Sequence, residues 1–310
     1  MPTPHIPFTT IHSLSDPDAA MVAALRAQTA AFKGATFGPA GREAYDAIMR
    51  AVAPAPQVVY QRGIVGGVPG LWCRPPQARS GAAVLFLHGG GYVMGSAQAY
   101  AHFGGQFAQR LEAPVFLADY RLGPEHPFPA ALDDAQAAYR GLLGLGQAQV
   151  AVVGDSAGGG LCLALLSVLQ SQAPQILLPR AAVVMSPWTD LGLGGASMAS
   201  QAADELYLTR DMLSACAAMY LGATPVRHPQ ASVLYAEVHG LGPLQIHVGT
   251  REILLDDSVR YAQRAHAAGA RVSLHIWEGM PHVFANGPGV LQAADQALAI
   301  MADFLADHLR

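Results

Sequence analysis

The chain has 310 residues, enough for two domains or for one large α/β domain carrying an insertion. Charged residues make up 13% against a usual share of about 25%, and hydrophobic residues 52%, which excludes a long solvated tail. Eighteen Lys and Arg against 22 Asp and Glu leave a formal charge of −4, and no basic run is present to neutralise a row of phosphates, so nucleic acid is not expected as a partner.

Residues 1–50 read as helical and contain no strand pattern. Asp16-Pro17-Asp18 is positioned to cap a helix running to about Phe32, and Gly41 to Met49 suggests a second. The opening Met1-Pro-Thr-Pro-His lacks the basic and apolar regions of a targeting peptide. The longest apolar run, Leu161 to Leu169, is too short for a span, so no membrane association is expected. From Gln57 the pattern changes: Val58-Val59-Tyr60 and Leu71-Trp72-Cys73 flank Gly66-Gly67 as a hairpin would. Continuous apolar runs follow at Ala83–Leu87, Pro114–Ala118, Val150–Val153, Ala181–Met185, Leu244–Val248 and Val272–Ile276, the composition of strands covered on both faces.

Helical patterns lie between most of these runs, around 98–111, 130–143, 157–171 and 257–268, and a last one spans about 290–308. The reading is an α/β fold with a mostly parallel sheet flanked by helices. Some fifty residues, 188–236, separate two strands and carry a helical pattern of their own from Leu206 to Tyr220; this is too long for a connection and reads as a cap inserted over the carboxyl ends of the strands. Cys73, Cys162 and Cys216 are odd in number, far apart and without a CxxC pair. They are expected to be buried thiols in a reducing cytoplasm, with neither a disulfide framework nor a zinc site.

Gly154-Asp155-Ser156-Ala157-Gly158 follows one strand run and opens a helical one. Strand, tight turn and helix around G-x-S-x-G describe a nucleophile elbow, in which glycines allow a sharp turn and the serine hydroxyl projects at a helix N-terminus. A phosphate loop would need the lysine of G-x-x-x-x-G-K-[ST], which is missing. Ser156 is therefore the candidate nucleophile. His88-Gly89-Gly90-Gly91-Tyr92 follows an earlier strand, and its consecutive glycines allow amides to converge on a developing oxyanion together with the amide of Ala157. His88 itself is read as a structural hydrogen-bonding residue.

A serine hydroxyl needs a general base, and in this fold the order along the chain is nucleophile, acid, histidine. His266 and His308 fall in helices and His275 within a strand, whereas His282 follows the last strand in a loop and is the candidate base. Its acid partner should leave the preceding strand, where Glu252, Asp256 and Asp257 stand. The two aspartates precede a helix they are positioned to cap, so Glu252 is favoured and Asp256 is second. Tyr92, Trp188, Tyr207 and Phe37 are aromatic candidates for a substrate pocket, each with an equally ordinary place in the core.

The motifs His88-Gly-Gly-Gly-Tyr92, Asp119-Tyr-Arg-Leu-Gly-Pro-Glu-His-Pro-Phe-Pro-Ala-Ala131, Gly154-Asp-Ser-Ala-Gly-Gly159 and Pro281-His-Val-Phe284 together resemble the hormone-sensitive-lipase-like branch of the α/β-hydrolases, the bacterial family IV esterases, over about 58–308. The resemblance implies an α/β-hydrolase catalytic domain at 51–187 and 237–310, with residues 1–50 and 188–236 as two pieces of a helical cap. It implies oxyanion donors at Gly90 and Gly91 with Ala157, and a triad acid at the first position of an acid-x-x-x-Asp stretch, which is Glu252 with Asp256 closing it. Glutamate stands where aspartate is commoner, and Val283 replaces a frequent glycine. In the 119–131 segment, Pro124, Pro127 and Pro129 stiffen a turn, and Asp133 or Asp134 begins the next helix.

The expected activity is that of a serine carboxylesterase acting on short- to medium-chain esters through an acyl-enzyme, with no metal or organic cofactor; by analogy a homodimer is also expected. A lactone, aryl-amide or formamide hydrolase would use the same triad, because acyl transfer to water is common to all. The rival of another class is an inactive small-molecule-binding relative, which would be expected to lack a triad member.

Overall fold

A computed structural model describes residues 8–31, 33–34 and 37–310. The chain begins with β1 (Thr9–His12), α1 (Asp16–Thr29) and α2 (Arg42–Met49), then the hairpin β2 (Val59–Val65) and β3 (Val68–Arg74). There follow β4 (Ala82–Leu87), α3 (Ala101–Leu111), β5 (Val115–Ala118), α4 (Ala130–Gly144), β6 (Gln149–Asp155), α5 (Ser156–Ser171) and β7 (Ala182–Met185). After β7 come α6 (Ser197–Ser200) and α7 (Arg210–Leu221), then β8 (Leu244–Arg251), α8 (Leu255–Ala267), β9 (Val272–Pro281) and α9 (Gln292–His308).

One nine-stranded sheet runs in the order β1-β9-β8-β7-β6-β4-β5-β3-β2, and only the β2–β3 and β3–β5 pairings are antiparallel. All six apolar runs of the sequence are strands in it. Successive residues point to opposite faces, so Ala83, Leu85 and Leu87 join the core shared with α4, α5 and α8, while Ala82, Val84 and Phe86 join the core shared with α3 and α9. Both faces are covered, which is why these strands carry apolar residues without alternation. Phe86 is fully buried against Phe103 and Phe107, with ring centroids 5.8 and 5.9 Å apart. Among the described residues no helix is long and apolar enough to cross a membrane.

Residues 1–50, expected to hold no strand, contribute β1, which pairs in parallel with β9 at the edge of the sheet. Thr9-Thr10-Ile11-His12 carries a single aliphatic residue, half exposed, so it has no period-two pattern to read. Its hold comes from backbone bonds and from rings. His12 stacks on Trp277 at 3.7 Å, its Nε2 lies 2.9 Å from His275 Nδ1, and His275 stacks on His247 at 4.6 Å. The cap of α1 is also not Asp16-Pro17-Asp18 but Ser15, whose hydroxyl accepts from the Asp18 amide. Asp18 instead reaches α9, where its carboxylate oxygens accept from Gln292 and Ala293 N–H at 2.8 and 3.0 Å. A carboxylate there satisfies free amides at a helix N-terminus, a job no local sequence pattern announces. The helix ends at Thr29; Phe32 and Met1–His5 lie outside the described residues.

Burial holds His247 well below the ordinary histidine value, and His275 down to about 4 with a contribution from the charge of His12; burial lowers His12 as well. The unfolded chain takes up protons at these histidines near 6.5, while the folded chain resists until lower pH, so stability is full above about 6.5 and is lost as pH falls toward 4. The melting temperature is expected to be lower at about pH 5 than at about pH 7.5, and His12→Phe, which keeps the stack on Trp277, to narrow that gap in thermal denaturation.

Candidate active site

Ser156 opens α5 directly after β6 with φ +52°, a left-handed conformation that serine rarely adopts. The neighbouring glycines make the turn sterically possible. A Cβ on Gly158 would collide with the carbonyl oxygens of Leu87 and His88, and one on Gly154 would stand 2.7 Å from Cys162 Sγ. The same close approach sets the start of α5 against the end of β4, and so against the glycine loop that follows it. The helix N-terminus leaves first-turn amides without intrahelical acceptors beside the Ser156 hydroxyl.

His282 follows β9 immediately, since that strand runs on to Pro281 and leaves no intervening loop. Its Nε2 lies 3.0 Å from Ser156 Oγ and its Nδ1 lies 2.8 Å from Glu252 Oε2. Glu252 is fully buried just past the end of β8. Its other oxygen accepts from Gly249 N–H at 2.7 Å and from Ser186 Oγ–H at 2.8 Å. Ser186, left-handed at the end of β7, also accepts from the Val283 amide at 3.1 Å, so one hydroxyl ties the acid to the residue after the histidine. Burial pulls the His282 imidazole down, but the hydrogen bond and charge of Glu252, joined by Glu205 and Asp155, outweigh it and the net displacement is upward.

The glycine loop is fastened to the elbow by Asp155, whose Oδ1 accepts from Gly89 N–H and whose Oδ2 accepts from Tyr100 O–H, both at 2.9 Å. Tyr100 in turn meets Tyr45 of α2 at 2.8 Å. Burial pushes the Asp155 carboxyl up to about 6 against the opposing pull of these two donors. Gly90 and Gly91 have φ +113° and +64°, which only glycine takes without strain. His88 acts structurally: its Nδ1 lies 2.8 Å from Gly89 O and its ring stacks on Tyr120 at 4.4 Å.

Asp256 and Asp257 lie within the first turn of α8 rather than before it, and neither caps that helix. Asp256 Oδ2 accepts from Ser197 N–H at 3.0 Å, and Asp257 Oδ2 accepts from the amides of Thr189 and Asp190 at 2.7 and 2.8 Å. Both carboxylates thus serve the segment after β7. Similarly, α4 begins at Ala130, before Asp133 or Asp134, and Asp134 holds the Arg121 guanidinium at 2.8 Å. Of the four aromatic candidates, Tyr92 and Trp188 are fully buried. Tyr92 stacks on Tyr220 of α7 at 3.9 Å, and Trp188 Nε1–H donates to Asp190 O at 3.1 Å, contacts of core packing. Tyr207 and Phe37 are half-buried.

Sequence reasoning missed Ser186 and Glu205, both buried and both tied to the acid or its neighbour. Serine or glutamate in a loop gives no local sign of such a task. The three cysteines are free and buried, and burial pushes the thiols of Cys73 and Cys216 up to about 12. Among the described residues no group of three or more His, Cys, Asp or Glu side chains is arranged to hold a metal ion.

Residues 84–286 match the family model described as an alpha/beta hydrolase fold. An acetyl-hydrolase of Streptomyces hygroscopicus is 40% identical over 243 residues, 78% of this chain and 80% of the relative. An ethyl acetate hydrolase of Pseudomonas putida is 34% identical over 247 residues, 76% of this chain and 77% of the relative. The crystal structure of an esterase from the bacterial hormone-sensitive lipase family has a TM-score of 0.88 at 36% identity, covering 96% of this chain and 100% of that one. The chain belongs to the α/β-hydrolase fold family and, within it, to the hormone-sensitive-lipase-like branch of bacterial carboxylic ester hydrolases.

The elbow geometry makes a steric prediction. Gly158→Ala is expected to cost about 1–3 kcal/mol of stability and to lower ester hydrolysis at least tenfold, as β4 and α5 are forced apart. Gly144→Ala, at an exposed helix end where a Cβ meets nothing within 4 Å, is the control. It should be neutral or slightly stabilising by thermal denaturation and leave turnover unchanged.

Proposed function

We propose that this ester hydrolase is a serine carboxylesterase for short- to medium-chain esters, with Ser156 as nucleophile, His282 as base and Glu252 as the acid that orients it. The observation that carries the reading is the continuous chain of contacts from Ser156 Oγ to His282 Nε2 at 3.0 Å and from His282 Nδ1 to Glu252 Oε2 at 2.8 Å. His282 takes the hydroxyl proton as Ser156 Oγ bonds to the ester carbonyl carbon. The carbonyl oxygen, now anionic, is held by the amides of Gly90, Gly91 and Ala157. His282 returns the proton to the departing alkoxide, leaving an acyl-serine and a free alcohol. Water then attacks the acyl carbon, giving its proton to His282, and collapse of the second tetrahedral intermediate releases the carboxylic acid and restores the Ser156 hydroxyl. Glu252 keeps the proton on Nδ1 so that Nε2 is the basic nitrogen, and stabilises the imidazolium.

The acyl-length preference rests on enclosure. Ser156 and His282 are each only 8% exposed. Residues 1–50 and 188–236 form, in this reading, a two-piece cap over the strand ends, and side chains of the first piece grip the second. Arg26 donates to Ala203 O and Asp204 O, and Lys33 to Ala202 O and Glu205 O, at 2.5–3.0 Å. Tyr207 and Phe37 are the aromatic residues left to line the pocket. The names of the acetyl-hydrolase and ethyl acetate hydrolase relatives favour the same short chains. A reducing cytoplasm suits the three free thiols.

Ser156→Ala is expected to lower kcat on p-nitrophenyl butyrate by about 10³-fold or more; near-normal turnover would remove Ser156 from the mechanism. Glu252→Gln should lower kcat more than Asp256→Asn, and the reverse order would move the acid to Asp256. Across p-nitrophenyl esters from acetate to palmitate, kcat/KM should be highest from acetate to hexanoate and fall steeply beyond, and a maximum at palmitate would contradict an enclosed site.

A further inference from the structure

Glu205 is a buried carboxylate that neither the proposed triad nor the glycine loop uses. It stands in the insertion between α6 and α7, nearly inaccessible to solvent. One oxygen accepts from the amides of Tyr207 and Leu208 at 3.0 and 3.4 Å; the other accepts from the Ile253 amide at 3.0 Å. Every partner is an N–H donor, so the site suits an acceptor-only, ionised group. Ile253 directly follows Glu252, so the bond crosses from the insertion to the backbone that carries the acid. The Glu205 carbonyl oxygen, at the same time, accepts from Lys33 Nζ at 2.6 Å. The N-terminal piece, the insertion and the loop bearing the acid therefore meet at one residue.

We propose that Glu205 is a positioning residue for the hydrolytic reaction: it fixes the backbone of the Glu252 loop through Ile253 and adds a second carboxylate's field to the imidazolium of His282. The proposal rests on the reading of Ser156, His282 and Glu252 as the reacting set. The charged groups facing His282 are Glu252 past β8, Glu205 from the insertion and Asp155 at the end of β6. Glu205 faces His282 and Glu252, with Lys33 on its carbonyl; its neighbour Asp204 is engaged by Arg26. Burial, helped by the charge of Glu252, raises the Glu205 carboxyl, and the charge of His282 and the amides of Tyr207 and Ile253 offset that rise only in part. Because a neutral imidazole is required, kcat/KM falls as pH drops through the His282 titration, and each nearby carboxylate holds that fall at higher pH. A residue that only anchored the insertion would change the height of the profile and leave the position of its acid limb alone.

The test is the pH dependence of kcat/KM on p-nitrophenyl butyrate for the wild type, Glu205→Gln and Glu205→Asp, with Ser156→Ala alongside. Glu205→Gln removes the charge and turns one acceptor into a donor facing an amide. Its acid limb is expected to move to lower pH, with kcat reduced about tenfold by the loosened acid. Glu205→Asp keeps the charge, so its limb should stay at the wild-type position while kcat falls. A folded Glu205→Gln protein whose limb coincides with the wild type overturns the proposal. If Glu205→Gln shows no cooperative thermal transition, Glu205→Ala, which removes the charge and leaves the three amides to water, decides by the same criterion: a limb moved to lower pH supports the role, and one at the wild-type position overturns it. Should Ser156→Ala stay active, the assignment of the nucleophile fails. With Ser156→Ala inactive and the Glu205→Gln limb unmoved, only the role of Glu205 fails.

Discussion

Four adjacent parallel strands end on the same edge of the sheet, and the proposed reacting set hangs from that edge. Asp155 and Ser156 stand at the end of β6, Ser186 just past β7, Glu252 past β8 and His282 past β9. Parallel pairing is what lets residues 126 positions apart, Ser156 and His282, lie within a hydrogen bond of each other. An irregularity sharpens the arrangement. Between β8 and β9 the register passes from Gly249 opposite Trp277 to Arg251 opposite Pro281, so β9 uses extra residues over that stretch. Such a bulge re-aims the strand end, and here it carries His282 across to Glu252. Gly249 is the residue that tolerates it, because a Cβ there would strike the Met280 carbonyl.

The backbone is bent to fit this edge. Among the described residues, Tyr92, Ser156, Ser186 and Val283 all hold positive φ without being glycine, and all four belong to the site or to the loop beside it. Left-handed conformations persist in such residues only where surrounding contacts over-determine them. Those contacts are visible: the Ser186 hydroxyl bonded at once to Glu252 and to the Val283 amide, the Asp155 carboxylate bonded to Gly89, and the start of α5 pressed on β4.

The same edge concentrates buried negative charge. Glu252, Glu205 and Asp155 all act on His282, and burial raises the carboxyls of Glu205 and Asp155. Each of the three is compensated mainly by backbone N–H or hydroxyl donors, and in the proposed mechanism His282 supplies the balancing cation. Side chains of α2 and α7 also reach this region. Arg42 of α2 donates to Val93 O and Gly123 O beside the glycine loop at 2.8 and 2.9 Å, Tyr45 reaches Tyr100, and Cys216 of α7 lies against Gly91.

The parallel sheet, its six apolar strands and the strand-turn-helix around Ser156 were legible in the sequence, as was the grouping of Ser156, Glu252 and His282 at one edge. Doubly covered strands need unbroken apolar runs, and a serine turned sharply out of a strand needs glycine on both sides. Of the three carboxylates the sequence offered, Glu252 is the one that meets His282, while Asp256 and Asp257 are occupied by the amides of Ser197, Thr189 and Asp190 and not, as expected, by their own helix. β1 left no trace, because a four-residue edge strand held by stacked rings carries no period. Ser186, Glu205 and the capping of α9 by Asp18 were equally hidden. Local pattern records what a residue does for its own element, whereas these side chains serve backbone groups that come near only when distant segments pack, and that proximity belongs to the tertiary structure alone.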